Sequence, residues 1–197
     1  MQLKKRKNLN QIDDSWSLFL DRDGVINQRI YNGYVTTPEE FEFIEGVNEA
    51  LKIFSNIFNN IFVVTNQQGI GKGVMSTQDL NTIHEKMLTS IEETGGRIDK
   101  VYYCGELKEH KPDCRKPQVG MALQAQKDFP EIKLKKSVMV GDTLNDMIFG
   151  RRLNMITVLV GKDQTLAQEH YEFVDYSFDN LLLFAQTLND QINHINR

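Results

Sequence analysis

The stretch Leu18–Asn27 reads LFLDRDGVIN, an apolar run that stops at two aspartates, Asp21 and Asp23, one residue apart, with Gly24 next. A short apolar run closed by a turn signal is the pattern of a buried strand. Two carboxylates at the end of such a strand repel each other when both are ionised, so a partner of opposite charge has to offset the cost. The fold and the chemistry of the chain both follow from finding that partner.

Working outward, the same pattern recurs. Ser17–Leu20, Ile61–Thr65, Ile98–Cys104, Ser137–Gly141 and Met155–Val160 read as strands. Between them Val47, Ala50, Leu51, Phe54 and Ile57 recur at spacings of three and four, as do Leu80, Ile83, Met87, Leu88 and Ile91, marking two helix faces. Ser76 and Asp79 form a capping-box pattern ahead of the second. Residues 119–129, 144–153 and 180–192 read as three more helices. Strands alternating with helices imply an α/β protein, a Rossmann-like three-layer sandwich around a mainly parallel central sheet.

The chain has 197 residues, 40% hydrophobic and 25% charged, which suits one soluble globular domain. We expect a flexible arm over residues 1–14 and a single domain over 15–197. The arm carries Lys4-Lys5-Arg6-Lys7, which no apolar segment follows, so it reads as a solvated tail rather than a secretory signal. A net charge of −4 argues against nucleic acid or an anionic membrane as partner, and the apolar runs are too short to span a bilayer. Two cysteines, Cys104 and Cys114, do not describe a disulfide scaffold, and the default setting is the cytoplasm, as a monomer.

In open α/β sheets, ligands sit beyond the carboxyl ends of the strands. There the chain carries Asp21-Arg22-Asp23-Gly24, Thr65-Asn66-Gln67-Gln68-Gly69 and Gly141-Asp142 with Asp146 one helical turn on. Arg115-Lys116-Pro117 precedes the helix of residues 119–129. Each has a plain structural reading: a turn, a strand end, a capping pair of Thr143 with Asp146, a solvated lysine. Together they make an all-oxygen cation site facing an anion site, and oxygen ligands from carboxylates select Mg2+. His84 sits between apolar helix positions and reads as packing; His170 and His194 lie in polar surroundings. Trp16, Phe54, Phe58 and Phe62 read as core.

These four motifs resemble those of the haloacid dehalogenase superfamily of phosphatases. Within it, Gly33-Tyr34-Val35, Phe41–Val47 and Thr65–Ile70 resemble the heptose-bisphosphate and histidinol-phosphate phosphatase subfamily. The resemblance runs from about Leu18 to Gly161 and implies a capless haloacid dehalogenase fold, since too few residues separate the motifs for a cap domain. It implies that Asp21 is the nucleophile, forming an aspartyl-phosphate, and that Asp23 is the general acid and base. Thr65 and Lys116 would hold the phosphoryl oxygens. Mg2+ would sit on the Asp21 and Asp142 carboxylates and the Asp23 carbonyl, with Asp146 supporting. Substrate contacts would come from Tyr31, Asn32, Gly33, Tyr34, Asn66, Gln67, Gln68, Lys72, Arg115 and Thr143.

Four departures from the family pattern stand out. Two extra residues after Asn27 shift the loop of Tyr31–Tyr34. Lys72 stands where relatives carry arginine, and Thr143 replaces a basic residue. The zinc loop of relatives is shorter here, and Cys104, Glu106, His110 and Cys114 occupy its neighbourhood. Those four suffice in number for a tetrahedral Zn2+, but their types and spacing differ from the family's, so a loop that folds without zinc is the favoured reading.

The implied substrate is a phosphorylated sugar, specifically the 7-phosphate of D-glycero-D-manno-heptose 1,7-bisphosphate, a precursor in lipopolysaccharide synthesis. Histidinol phosphate is the alternative. A nucleic-acid 3′-phosphatase would need a basic groove that the composition does not offer.

Overall fold

The computed structural model describes residues 8–195 of the chain. Ser17–Leu20 forms strand β1, with all four residues buried. Asn60–Asn66 (β2) and Ser137–Gly141 (β4) pair with its two edges, both in parallel. Lys100–Cys104 (β3) extends the sheet beyond β2. Ile156–Val160 (β5) and Tyr176–Phe178 (β6) extend it beyond β4. The order is β3-β2-β1-β4-β5-β6, parallel throughout.

Side chains alternate across the pleat, so the apolar strands feed two cores. Leu18, Leu20, Ile61, Val63, Val138 and Val140 enter one, with α1 (Val47–Ser55), α2 (Thr77–Glu93) and α6 (Leu181–Ile195) packed over them. Phe19, Phe62, Val64 and Met139 enter the other, covered by α3 (Gly120–Asp128) and α4 (Leu144–Arg152). Phe19 and Phe129 each lie about one ring diameter from Phe62, at centroid distances of 5.1 and 5.0 Å. This is the expected three-layer sandwich.

The expected strands and helices are all present, with ends moved by up to three residues. Two elements are additional: β6, and the short helix α5 (Thr165–Glu169). Part of the stretch expected as an arm packs on the domain. From Asn8 on the chain is described, and Leu9 and Ile12, three apart across the turn Leu9–Gln11, are buried in the core that α6 covers. The basic cluster Lys4–Lys7 lies outside the described residues.

The chain runs one way across the sheet from β1 to β3, then the other way from β4 to β6, so its connections diverge at the β1/β4 seam. Ligands bind beyond the carboxyl ends of strands at such a switch point. Between β1 and α1 the described residues hold one 3-10 turn, Pro38–Glu40, and between β2 and α2 no helix or strand. Among the described residues no cap domain stands over the seam. Among the described residues no helix is long and apolar enough to cross a membrane.

Candidate active site

Asp21 is the first residue past β1, and its N–H donates to Val140 O of β4 at 2.9 Å. Its Oδ1 accepts from the Arg22 N–H at 2.7 Å and lies 2.8 Å from Lys116 Nζ. Lys116 is 2% exposed and also meets Asp146 Oδ1 at 2.6 Å. Asn66, at the end of β2, brackets the lysine's backbone: Lys116 N–H donates to Asn66 Oδ1 at 3.0 Å, and Asn66 Nδ2 donates to Lys116 O at 3.2 Å. Asp146, in the first turn of α4, accepts from the N–H and hydroxyl of Thr143 at 3.1 and 2.5 Å. Both readings of Asp146 therefore hold: it caps a helix and it holds the lysine.

Asp23 faces away from this group. Its carboxylate accepts from Arg22 Nη2 at 2.7 and 3.0 Å, Asn27 Nδ2 at 3.0 Å and Gln67 Nε2 at 2.8 Å. Arg22 is fully buried, with its guanidinium 5.9 Å from the Phe41 ring centre and Nη1 3.2 Å from His84 Nε2. The repulsion noted at the outset is resolved by separation: each aspartate has its own cation.

The electrostatics follow this arrangement. Burial pushes the Asp21 carboxyl up to about 7, with Lys116 opposing and Asp146 and Asp142 adding to the rise. Burial and the Asp146 charge push Asp142 up to about 6. For Asp23, burial is outweighed by Arg22 and by the hydrogen bonds from Arg22, Asn27 and Gln67, and its carboxyl is held below the usual range. Lys116 is raised because Asp146 and Asp21 together outweigh its burial. The rises at Asp21 and Asp142 thus come from burial first and from the neighbouring carboxylates second.

Asp21, Asp142 and Asp146 each offer a carboxylate oxygen, and these lie within 4.8 Å of one another. Gly24 has φ +92°, and a Cβ built there would stand 2.0 Å from Asp142 Oδ2, so only glycine lets this carboxylate approach the backbone beside Asp23. A cationic group already makes use of the set. The Arg29 guanidinium donates to Asp142 Oδ1 and Oδ2 at 2.7 and 3.1 Å and to the Asp23 carbonyl at 2.6 Å. Hard oxygen donors around a position that attracts a cation fit Mg2+.

A cavity of about 200 Å³ opens over these groups, and Thr65, Asn66, Gln68, Tyr34, Arg115 and Thr143 line it beside the acidic cluster. Arg115 Nη1 is buried with no hydrogen-bond partner among the described residues. Lys72 Nζ stands 5.5 Å from the Tyr34 ring centre. Other expected contacts are placed differently. Gln67 is 1% exposed, donates to Asp23 and Thr65 and lines a smaller adjoining cavity, and the Thr143 hydroxyl, on the wall of the larger one, donates to Asp146. Gly33 lines the smaller cavity too, with Asp23 and Tyr34. Tyr31 is 87% exposed and lines a separate cavity on the far side of Arg29, and Asn32 lines neither.

The four-residue zinc set is corrected by the structure. Cys104 and Cys114 are joined in a disulfide, so neither sulfur is a free thiolate ligand. His110 and Glu106 meet each other at 3.7 Å on the surface, with side chains 63% and 62% exposed. The disulfide also departs from the expectation drawn from the cysteine count. Sequence reasoning missed Arg22 and Arg29 as members of the site; the longer loop after Asn27 was the only sign of the second.

A parallel sheet whose first strand ends in Asp21-x-Asp23, with Lys116 and Asp142 closing on it, defines a hydrolase of the haloacid dehalogenase type. A family model described as HAD-hydrolase-like matches residues 113–182. The D-glycero-alpha-D-manno-heptose-1,7-bisphosphate 7-phosphatase of Mycobacterium bovis is 35% identical over 170 residues, covering 86% of this chain and 90% of that protein. The D-glycero-beta-D-manno-heptose-1,7-bisphosphate 7-phosphatase of Escherichia coli K12 is 36% identical over 183 residues, covering 89% and 94%. The crystal structure of D,D-heptose 1,7-bisphosphate phosphatase from B. bronchiseptica, complexed with magnesium and phosphate, matches at a TM-score of 0.80 and 28% identity, covering 89% and 98%. The chain belongs to the heptose-1,7-bisphosphate 7-phosphatase family of haloacid dehalogenase-like phosphatases.

Proposed function

We propose that the protein is a Mg2+-dependent phosphatase that removes the 7-phosphate of D-glycero-D-manno-heptose 1,7-bisphosphate through an aspartyl-phosphate on Asp21. The observation that carries the reading is the Asp21 carboxylate on the cavity wall, 2.8 Å from the buried Lys116 and grouped with Asp142 and Asp146. The metal, held by Asp21, Asp142 and the Asp23 carbonyl, would neutralise the phosphoryl oxygens and align the group for in-line attack.

An Asp21 oxygen attacks phosphorus and the bond from phosphorus to the sugar oxygen breaks. Asp23, ionised while it is paired with Arg22, turns from it into the cavity, takes up a proton there and gives it to the leaving oxygen. Water then attacks the aspartyl-phosphate, Asp23 takes its proton, and orthophosphate departs with Asp21 restored. Lys116 and the Thr65 hydroxyl hold phosphoryl oxygens throughout. The unpartnered Arg115 Nη1, with Lys72 near the Tyr34 ring, supports a substrate carrying a second anionic group.

The test is a phosphate-release assay on the heptose bisphosphate and on histidinol phosphate, with and without Mg2+. Turnover of the heptose bisphosphate should require the metal and exceed that of histidinol phosphate. Asp21→Asn should abolish it and keep a cooperative thermal transition. Wild-type turnover by this variant would refute the mechanism, and a preference for histidinol phosphate would refute the substrate.

A further inference from the structure

Arg29 belongs to the lengthened loop between Asn27 and Gly33, and it is the side chain of that loop that turns inward. Gln28, Ile30, Tyr31, Asn32 and Gly33 are exposed, and Arg29 itself is 35% exposed. Its guanidinium forms a fork on the Asp142 carboxylate, at 2.7 and 3.1 Å, and also donates to the Asp23 carbonyl at 2.6 Å. Nη2 is 3.8 Å from Asp21 Oδ2. These three groups are the ones assigned above to the divalent ion.

One nitrogen within 2.6–2.7 Å of two of the donors leaves no space for an ion that needs its oxygens at about 2.1 Å. The guanidinium has one property of the ion, positive charge at a point where buried carboxylates converge. It lacks another: tethered to a loop, it can be moved aside without leaving the protein. Besides Arg29, the backbone N–H of Gln28 ties this loop to Glu42 O at 2.8 Å.

We propose that Arg29 is an internal cation that holds the metal position in the metal-free protein and has to be expelled for Mg2+ to bind, so that metal loading frees the 28–33 loop beside the substrate cavity. The inference rests on the metal assignment made above, and not on the identity of the sugar. Metal affinity is then reduced by the fraction of molecules in which Arg29 occupies the site. Loading also changes the mobility of the loop that leads into Tyr34, a wall of the cavity.

The test uses MgCl2 alone, with no substrate. In calorimetric titration Arg29→Gln should bind Mg2+ roughly tenfold more tightly than the wild type, the factor set by how often the site is occupied. The gain should persist near 1 M salt, where the screening length falls to about 3 Å and long-range charge effects fade. In hydrogen exchange, Mg2+ should speed the amides of residues 28–33 in the wild type, and in Arg29→Gln these should exchange fast from the start. Unchanged or weaker Mg2+ binding by the variant overturns the proposal, as does wild-type exchange that Mg2+ leaves unaltered. Should the metal-free variant fail to fold, the wild-type exchange decides alone. Binding with this competition but no turnover of the heptose bisphosphate would leave the inference standing and remove the substrate. Equal binding with full turnover would do the reverse.

Discussion

Arg22 sits between the two aspartates with its side chain wholly out of water, and its charge is matched on one side by Asp23 alone. On the other side it faces His84, which can accept from Nη1 only as the neutral imidazole. Burial, and then the Arg22 charge, lower the histidine from 6.5 to about 3. The unfolded chain therefore binds a proton below about pH 6.5 that the folded one refuses, and stability falls as pH drops through that window. The limiting slope is about 1.4 kcal/mol per pH unit for one proton. His84→Gln keeps an acceptor and removes the titration. Denaturant titrations should show its deficit against the wild type narrowing as pH falls from 7 to 4.5, and a constant deficit would disprove the assignment.

At this scale the catalytic candidates were legible because their chemistry lies in the residue types at the strand ends. Asp21, Asp142 and Lys116 lie where those positions implied. Arg22 and Arg29 were not legible, since nothing in the sequence states which way a charged side chain points. Nor was the hydrogen bond from Gln67 to Asp23 legible, since it is set by the turn after β2 and not by its neighbours in the chain.

Among the elements, the caps divide into two kinds. Ser76 Oγ accepts from the Asp79 N–H at 3.1 Å, and Asp79 accepts from the Ser76 N–H at 2.8 Å, at the exposed start of α2. Ser76→Ala should cost about 1 kcal/mol, read from the denaturation midpoint with unchanged slope, and should leave Mg2+ affinity as it was. At α4 the same motif is buried and Asp146 also binds Lys116, so that cap cannot be altered without altering the site. The longer elements were legible from their apolar period. Strand β6 was not, because Tyr176–Phe178 spans three residues, none fully buried, at the sheet's edge. Nor did any apolar period mark α5, which has five residues and no buried one.

For the whole molecule, the site hangs on the seam between β1 and β4, where the two halves of the sheet meet. A ligand that binds both halves and only the folded chain stabilises it by mass action. Mg2+ at a hundred times its dissociation constant should add about 2.7 kcal/mol, seen as a rise in thermal midpoint that a chelator reverses. A midpoint indifferent to Mg2+ would exclude the metal from the seam. The fold class was legible at this scale because alternating strand and helix periods leave few arrangements, whereas the joining of Cys104 to Cys114 depends on a loop path that two isolated cysteines do not reveal.

Among the described residues no cap domain covers the seam, so water can enter the cavity that would hold an aspartyl-phosphate on Asp21. At about 55 M, water outnumbers any sugar hydroxyl that diffuses in, and a second acceptor would have to be held in place to compete with it. The open architecture thus favours hydrolysis over transfer for an aspartyl-phosphate formed on Asp21. A mutase built on the same sheet would first have to acquire a cover.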